Sequence, residues 1–198
     1  PGTATTGFGL IKTSANNFEV LDFGLIETDK NGATGKRLEN IYSQMARLLK
    51  RSKPDVVAIE RIFFATNAKT AISVGQATGI MIFAASRSKI DIAEYAPGTI
   101  KKVVAGDGRA DKKMIQKSLR VVLGAGVRSR AGKKTHFDNA ADALAVALCH
   151  AYRVGLNGGV PPRSPLRIEK PSYAKATEGF ARYNKNIQRR AKGGDKNG

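Results

Sequence analysis

The chain has 198 residues, 41% of them apolar and 25% charged, which fits one globular domain with room for a tail and excludes disorder throughout. Its 34 Lys+Arg against 16 Asp+Glu leave a formal charge of +18, which favours polyanionic partners, nucleic acid above all, because each neutralised phosphate releases condensed counterions. The single Cys149 excludes an intrachain disulfide, the lack of a Cys/His cluster excludes zinc-finger spacing, and no apolar run reaches the roughly 18 residues of a membrane span, so a cytoplasmic, unexported protein is expected.

Thr5 to Lys12 and Phe18 to Glu27 are strand-like, with Asn16-Asn17 between them as a turn signal, which predicts a hairpin. From Gly35 onward Leu38, Ile41, Tyr42, Met45, Leu48 and Leu49 fall at helical spacing and stop before Pro54; Val56 to Ile59 is a short apolar run suited to a buried strand. Asn67 to Ser86 reads as a second helix, Ile90 to Tyr95 as a strand, Thr99 to Val104 as a short helix, Lys112 to Leu123 as another, and Asp138 to Arg153 as the last. A strand meander followed by alternating helices and strands predicts an α/β fold with a sheet of mixed direction. Residues 156–198 carry ten Lys/Arg, three Asp/Glu and four prolines with no sustained apolar period, so a folded domain over 1–155 and a basic, disordered tail over 156–198 are expected. The tail accounts for +7 of the charge, which leaves +11 on the body.

In Asp55-Val-Val-Ala-Ile-Glu60, four apolar residues deliver a carboxylate to the carboxyl end of a central strand, where open α/β sheets place their ligand crevices. Glu60 is thus a functional candidate, or else an ordinary strand-end acid paired with Arg61. A second carboxylate comes from the last helix, where Asp138 and Asp142 are four apart and share a face if the helix includes both; Asn139 lies near that face. Asp138 alone could equally be the helix N-cap. Carboxylates converging on one point repel each other unless a cation sits between them, and hard oxygen donors without a His/Cys cluster favour Mg²⁺ or Mn²⁺. With strong positive charge, that combination suggests metal-assisted phosphodiester hydrolysis.

Four segments together resemble a known family: Pro1-Gly2-Thr3-Ala4-Thr5-Thr6-Gly7-Phe8-Gly9, Ala58-Ile59-Glu60-Arg61-Ile62-Phe63, Gly75-Gln76-Ala77-Thr78-Gly79 and Asp142-Ala-Leu-Ala-Val-Ala-Leu-Cys-His150. They are similar to the RuvC family of bacterial Holliday-junction resolvases, over Pro1 to about Tyr152. The resemblance implies a ribonuclease H-like, mixed five-stranded sheet flanked by helices. It also implies a homodimer that nicks four-way junction DNA symmetrically, with Mg²⁺, two ions per site, or Mn²⁺ in its place, alongside a branch-migration helicase complex. It carries Glu60, Asp142 and Asp138 over as metal ligands, Asn139 as a further catalytic position, and Phe63, Lys101, Lys112 and Arg109 as DNA contacts.

Two departures accompany it. The family's first strand ends in Gly-Ile-Asp-Pro-Gly with a metal-binding Asp, and this chain begins at the Pro, so a truncated gene prediction or a fragment is expected. Three residues before its final Asp the family has Asp or His where this chain has Asn139, so Asp138 or His136 is a candidate to complete the site. The rivals are another ribonuclease H-like nuclease acting on RNA or a different branched DNA, and a non-catalytic DNA-binding protein of the same fold. The helix Asn67 to Ser86, with Ala68, Ala71, Gly75, Ala77 and Gly79 allowing close approach, is where a dimer interface is expected.

Overall fold

The computed structural model describes residues 2–14, 17–61, 68–124 and 134–155, all within the first of the chain's two units, residues 1–164. The predicted hairpin forms from β1 (Thr5–Ser14) and β2 (Asn17–Glu27), antiparallel from Thr5↔Glu27 to Ser14↔Asn17, with a bulge where Leu10 pairs Asp22 and Ile11 pairs Val20.

Helix α1 (Thr34–Ser52) follows, burying Ile41, Met45 and Leu49 at four-residue steps, one face of a 3.6-residue period. It stops where Lys53 turns left-handed at φ 44°, the Lys53 N–H donating to the Leu49 carbonyl ahead of Pro54. The apolar run then becomes β3 (Val56–Glu60), which pairs in parallel with β4 (Asp91–Tyr95) from Val56↔Asp91 to Glu60↔Tyr95. Parallel neighbours need a crossover, and α2 (Ala68–Arg87) supplies it. Beyond β4 come α3 (Pro97–Ala105), with proline in its first turn and Gly106 as its left-handed cap, and α4 (Lys112–Leu123), whose N-cap Asp111 accepts from the Met114 N–H. The chain's last described helix is α5 (Lys134–Arg153).

Side chains alternate along the strands and feed two cores. Val57 and Ile59 of β3 join Ile26, Ile41, Met45, Leu49, Met81 and Ala84 beneath α1 and α2. Ala58 and Tyr95 pack on the other side with Ile11, Leu119, Leu144, Leu148 and the fully buried Cys149, beneath α3, α4 and α5. The result is helix, strand and helix layers, the mixed α/β arrangement expected.

One feature departs from the expected five-stranded sheet. The four described strands form two separate pairs, β1–β2 and β3–β4, and no described residue hydrogen-bonds β1 to β3. Val56, Val57 and Ala58 consequently stay only half-buried, although helices cover both faces of β3, so their exposure is lateral. Among the described residues no helix is long and apolar enough to cross a membrane.

Candidate active site

Between β1 and β3 runs a slot of about 640 Å³, lined by Thr5–Thr13 on one side and Val56–Glu60 on the other, walled by α1 residues such as Met45 and by Asn139, Asp142, Val146 and His150 of α5. Glycines bring α5 onto β1. A Cβ at Gly7 would fall 2.0 Å from the Asn139 carbonyl oxygen, and one at Gly9 would fall 2.8 Å from a Leu144 methyl, so only glycine permits this approach. Because Gly7 meets Asn139 while Gly9 meets Leu144, β1 starts at the Asn139–Asp142 end of α5.

Glu60 ends β3 at that same end, as the strand-end position predicts, and it feels the charge of Asp142. Burial pushes the Glu60 carboxyl above its ordinary value and the charge of Asp142 adds to this, while the amino terminus and Lys101 pull it back. Burial also raises Asp142, helped by Asp138 and opposed chiefly by Lys112, whose Nζ lies 3.6 Å from Asp142 Oδ2. Two carboxyls raised by burial, each beside a further carboxylate and bordered by cations, form an electrostatically unsatisfied pair of hard oxygen donors.

The other candidates divide. Helix α5 begins at Lys134, before Asp138, so Asp138 is not an N-cap; its Oδ1 instead accepts from Gln116 Nε2 at 2.9 Å. Asn139, not Asp138, lines the slot. Lys101 on α3 and Lys112 on α4 stand close enough to act on Glu60 and Asp142, whereas the exposed Arg109 sits in the turn before α4, its backbone N–H donating to Asp107. Phe63 lies outside the described residues, as do the tail 156–198 and the side chain of His136.

One pair escaped sequence reasoning: the Tyr95 hydroxyl and His150 Nδ1, 2.8 Å apart, join the end of β4 to α5 at the slot wall, with the Arg153 guanidinium 5.5 Å from the Tyr95 ring centre. Burial lowers the His150 pKa, which favours the neutral ring. Nothing in the local sequence marks two residues 55 positions apart as partners.

Among the described residues no group of three or more His, Cys, Asp or Glu side chains comes together. Glu60 and Asp142 therefore fit a hard divalent cation as part of a donor set, whose remaining oxygens must come from elsewhere.

The family described as "Crossover junction endodeoxyribonuclease RuvC" matches residues 1–150. Curated relatives carrying that name include proteins of Alkaliphilus oremlandii, 43% identical over 77% of this chain and 89% of the relative, and of Caldicellulosiruptor saccharolyticus, 42% identical over 76% and 87%. Among solved structures, T. thermophilus RuvC in complex with a Holliday junction substrate superposes with a TM-score of 0.70 at 28% identity, covering 79% of this chain and 92% of that one. A second Thermus thermophilus RuvC structure gives 0.67 at 29% identity, covering 78% and 91%. The family's nucleases are metal-dependent, in keeping with paired carboxylates at a strand end. With the match running through both glycine-packed β1 and the Glu60 and Asp142 segments, the chain belongs to the RuvC family of ribonuclease H-like crossover junction endodeoxyribonucleases.

Proposed function

We propose that this protein resolves four-way DNA junctions as a homodimer, by symmetric, metal-dependent phosphodiester hydrolysis in recombination and repair in the cytoplasm. The observation that carries this reading is the meeting of Glu60 and Asp142 at one end of the slot, flanked by Lys101 and Lys112. In the proposal Glu60 and Asp142 hold Mg²⁺, or Mn²⁺ in its place, as two ions per site, with Asp138 as a further ligand. Bound there, the metal would supply activation of water and stabilisation of the leaving oxygen. The chain's own residues do the rest: Lys101, Lys112 and Arg109 hold the phosphate backbone, and Phe63 stacks on unpaired bases at the junction centre. A third carboxylate is the Asp of the family's Gly-Ile-Asp-Pro-Gly, on a strand filling the space between β1 and β3.

The slot lining favours a second assignment for the last position. Asn139 is on the wall while Asp138 Oδ1 accepts from Gln116, so Asn139 offers a neutral carbonyl donor on the slot side. His136 is the remaining candidate. The nuclease domain is proposed as 1–155, the residues beyond as a basic tail, and a branch-migration helicase complex as a partner.

Symmetric nicking needs two sites related by a two-fold axis. Helix α2 offers a strip for that contact: Ile72 (64% exposed), Gln76, Gly79 and Phe83 (51% exposed) follow one another at steps of three and four. The strip differs from the small-residue run of the sequence, since Ala77 is fully buried against α1.

Incubating the chain, and the same chain extended by a strand ending in Gly-Ile-Asp, with a four-way junction, a linear duplex and an RNA–DNA hybrid tests the reading. The extended protein should nick the junction alone, in paired strands, only with Mg²⁺ or Mn²⁺, and orders of magnitude faster than the shorter one. Preference for the hybrid, or binding without cleavage by both proteins, would replace it with one of its rivals.

A further inference from the structure

Tyr95 is tied to both of the elements that carry the paired carboxylates. Its backbone stands opposite Glu60 in the parallel register, and its carbonyl accepts from the Arg61 N–H, one residue after Glu60, at 2.8 Å. Its ring packs in the core beneath α5, where the hydroxyl lies 2.8 Å from His150 Nδ1 and the Arg153 guanidinium 5.5 Å from the ring centre. His150 in turn shares a helix face with Asp142: Asp142, Val146 and His150 follow at steps of four along α5, about 12 Å from first to last. The glycine contacts, Gly7 at Asn139 and Gly9 at Leu144, hold the first half of this helix and set how near it comes to β1. The Tyr95–His150 bond holds the second half against β4. A hydrogen bond has a preferred length and direction, where apolar contacts allow sliding.

We propose that Tyr95 and His150 are positioning residues for the metal site, their bond setting the separation of Glu60 from Asp142 through one backbone pairing on one side and two turns of helix on the other. This role rests on the reading of Glu60 and Asp142 as metal ligands and goes beyond it, since neither Tyr95 nor His150 is itself a ligand. A cation that needs both carboxylates at once loses affinity when their separation is free to vary. DNA held by surface cations does not.

Mn²⁺, whose free ion gives a paramagnetic resonance signal that binding removes, is titrated into the strand-extended protein without DNA. Tyr95→Phe deletes only the hydroxyl and should weaken Mn²⁺ binding by about ten-fold, as when an outer support of a metal site is lost. Junction affinity in Ca²⁺ should stay within about two-fold, because phosphate contacts set it. His150→Leu should act like Tyr95→Phe, and the double variant should lose no more than either, since all three lose the same bond. His150→Asn, whose amide can donate or accept near the place of Nδ1, should restore most of the affinity. Val104→Ala thins the same core away from that bond and should lower the melting temperature without moving Mn²⁺ affinity. Parental affinity in Tyr95→Phe, additive losses in the double variant, no recovery in His150→Asn, or an equal loss in Val104→Ala overturns the proposal. A Glu60→Gln protein that binds Mn²⁺ as the parent does overturns the metal reading itself, and the positioning role with it.

Discussion

The Lys112 ammonium lies 3.6 Å from Asp142 Oδ2, making it the cation nearest a carboxylate that burial otherwise drives toward its protonated form. Lys112 therefore keeps Asp142 charged and ready for metal. In the strand-extended protein, Lys112→Ala should move the acidic limb of the pH–rate profile to higher pH, because without its neighbour Asp142 holds its proton longer. Cleavage rates measured from pH 5 to pH 9 at fixed Mg²⁺ would show an unmoved limb, with only weaker DNA binding, if Lys112 serves the phosphates alone.

Glu60→Gln and Asp142→Asn in the same extended protein should each bring cleavage below detection while leaving junction binding in Ca²⁺ within about two-fold, as expected where metal ligation rather than affinity is lost. A variant that still cuts at near the parental rate would move that residue to a structural role.

The metal-free protein should respond in the opposite direction. Both carboxyls have folded-state pKa values raised by burial, so the folded protein binds more protons than the unfolded chain in the window between ordinary and raised values. Stability falls as pH rises through that window, and the full penalty is present at neutral pH. Glu60→Gln should therefore raise the unfolding free energy at pH 7 in chelator, by no more than about 1 kcal/mol because water screens a part-exposed group. The gain should fade below about pH 4, where both states are protonated.

Asn139→Ala should slow cleavage by about 10–100-fold, the usual cost of removing a group that supports a metal site, and Asp138→Asn by less, since an amide in that place still accepts from Gln116. Paired rate measurements on the extended protein decide between them, and a larger loss for Asp138→Asn restores Asp138 as the ligand.

Gly7→Ala should destabilise by about 1–3 kcal/mol or more, because its methyl meets backbone atoms that cannot swing away. Gly79→Ala, with open space around it in mid-helix, should stabilise the fold by about 0.5–1 kcal/mol. Denaturant titration of both variants checks the contrast, and sedimentation of Phe83→Asp, which should convert dimer to monomer, tests the α2 strip.

The hairpin, α1 and α4 were legible from apolar patterns closed by a turn or capping residue, Pro54 after α1 and Asp111 before α4, and β3 from a short continuous apolar run. The start of α5 was not legible. Lys134-Thr-His-Phe puts no acid in the first turn, so the apolar pattern set the start at Asp138, four residues late. At the site, Glu60 and Asp142 were readable because a carboxylate after an apolar strand, or at the mouth of an apolar stripe, is anomalous. What joins them was not. The bonds from Gln116 to Asp138 and from Tyr95 to His150 link distant segments with no periodic signature, and the glycines at 7 and 9 reveal their purpose only when α5 lies against them.

Cys149 makes the molecule its own gauge of opening. It is fully buried, it is the chain's single thiol, and burial pushes it up to about 12. Alkylating reagents attack thiolate, so at neutral pH they should modify only molecules that have momentarily come apart around α5. The labelling rate then counts those openings, and whatever binds the closed form alone should slow it. A cation at about ten times its dissociation constant at Glu60 would slow labelling by roughly ten-fold. Alkylation followed by mass would thus report metal binding without any cleavage.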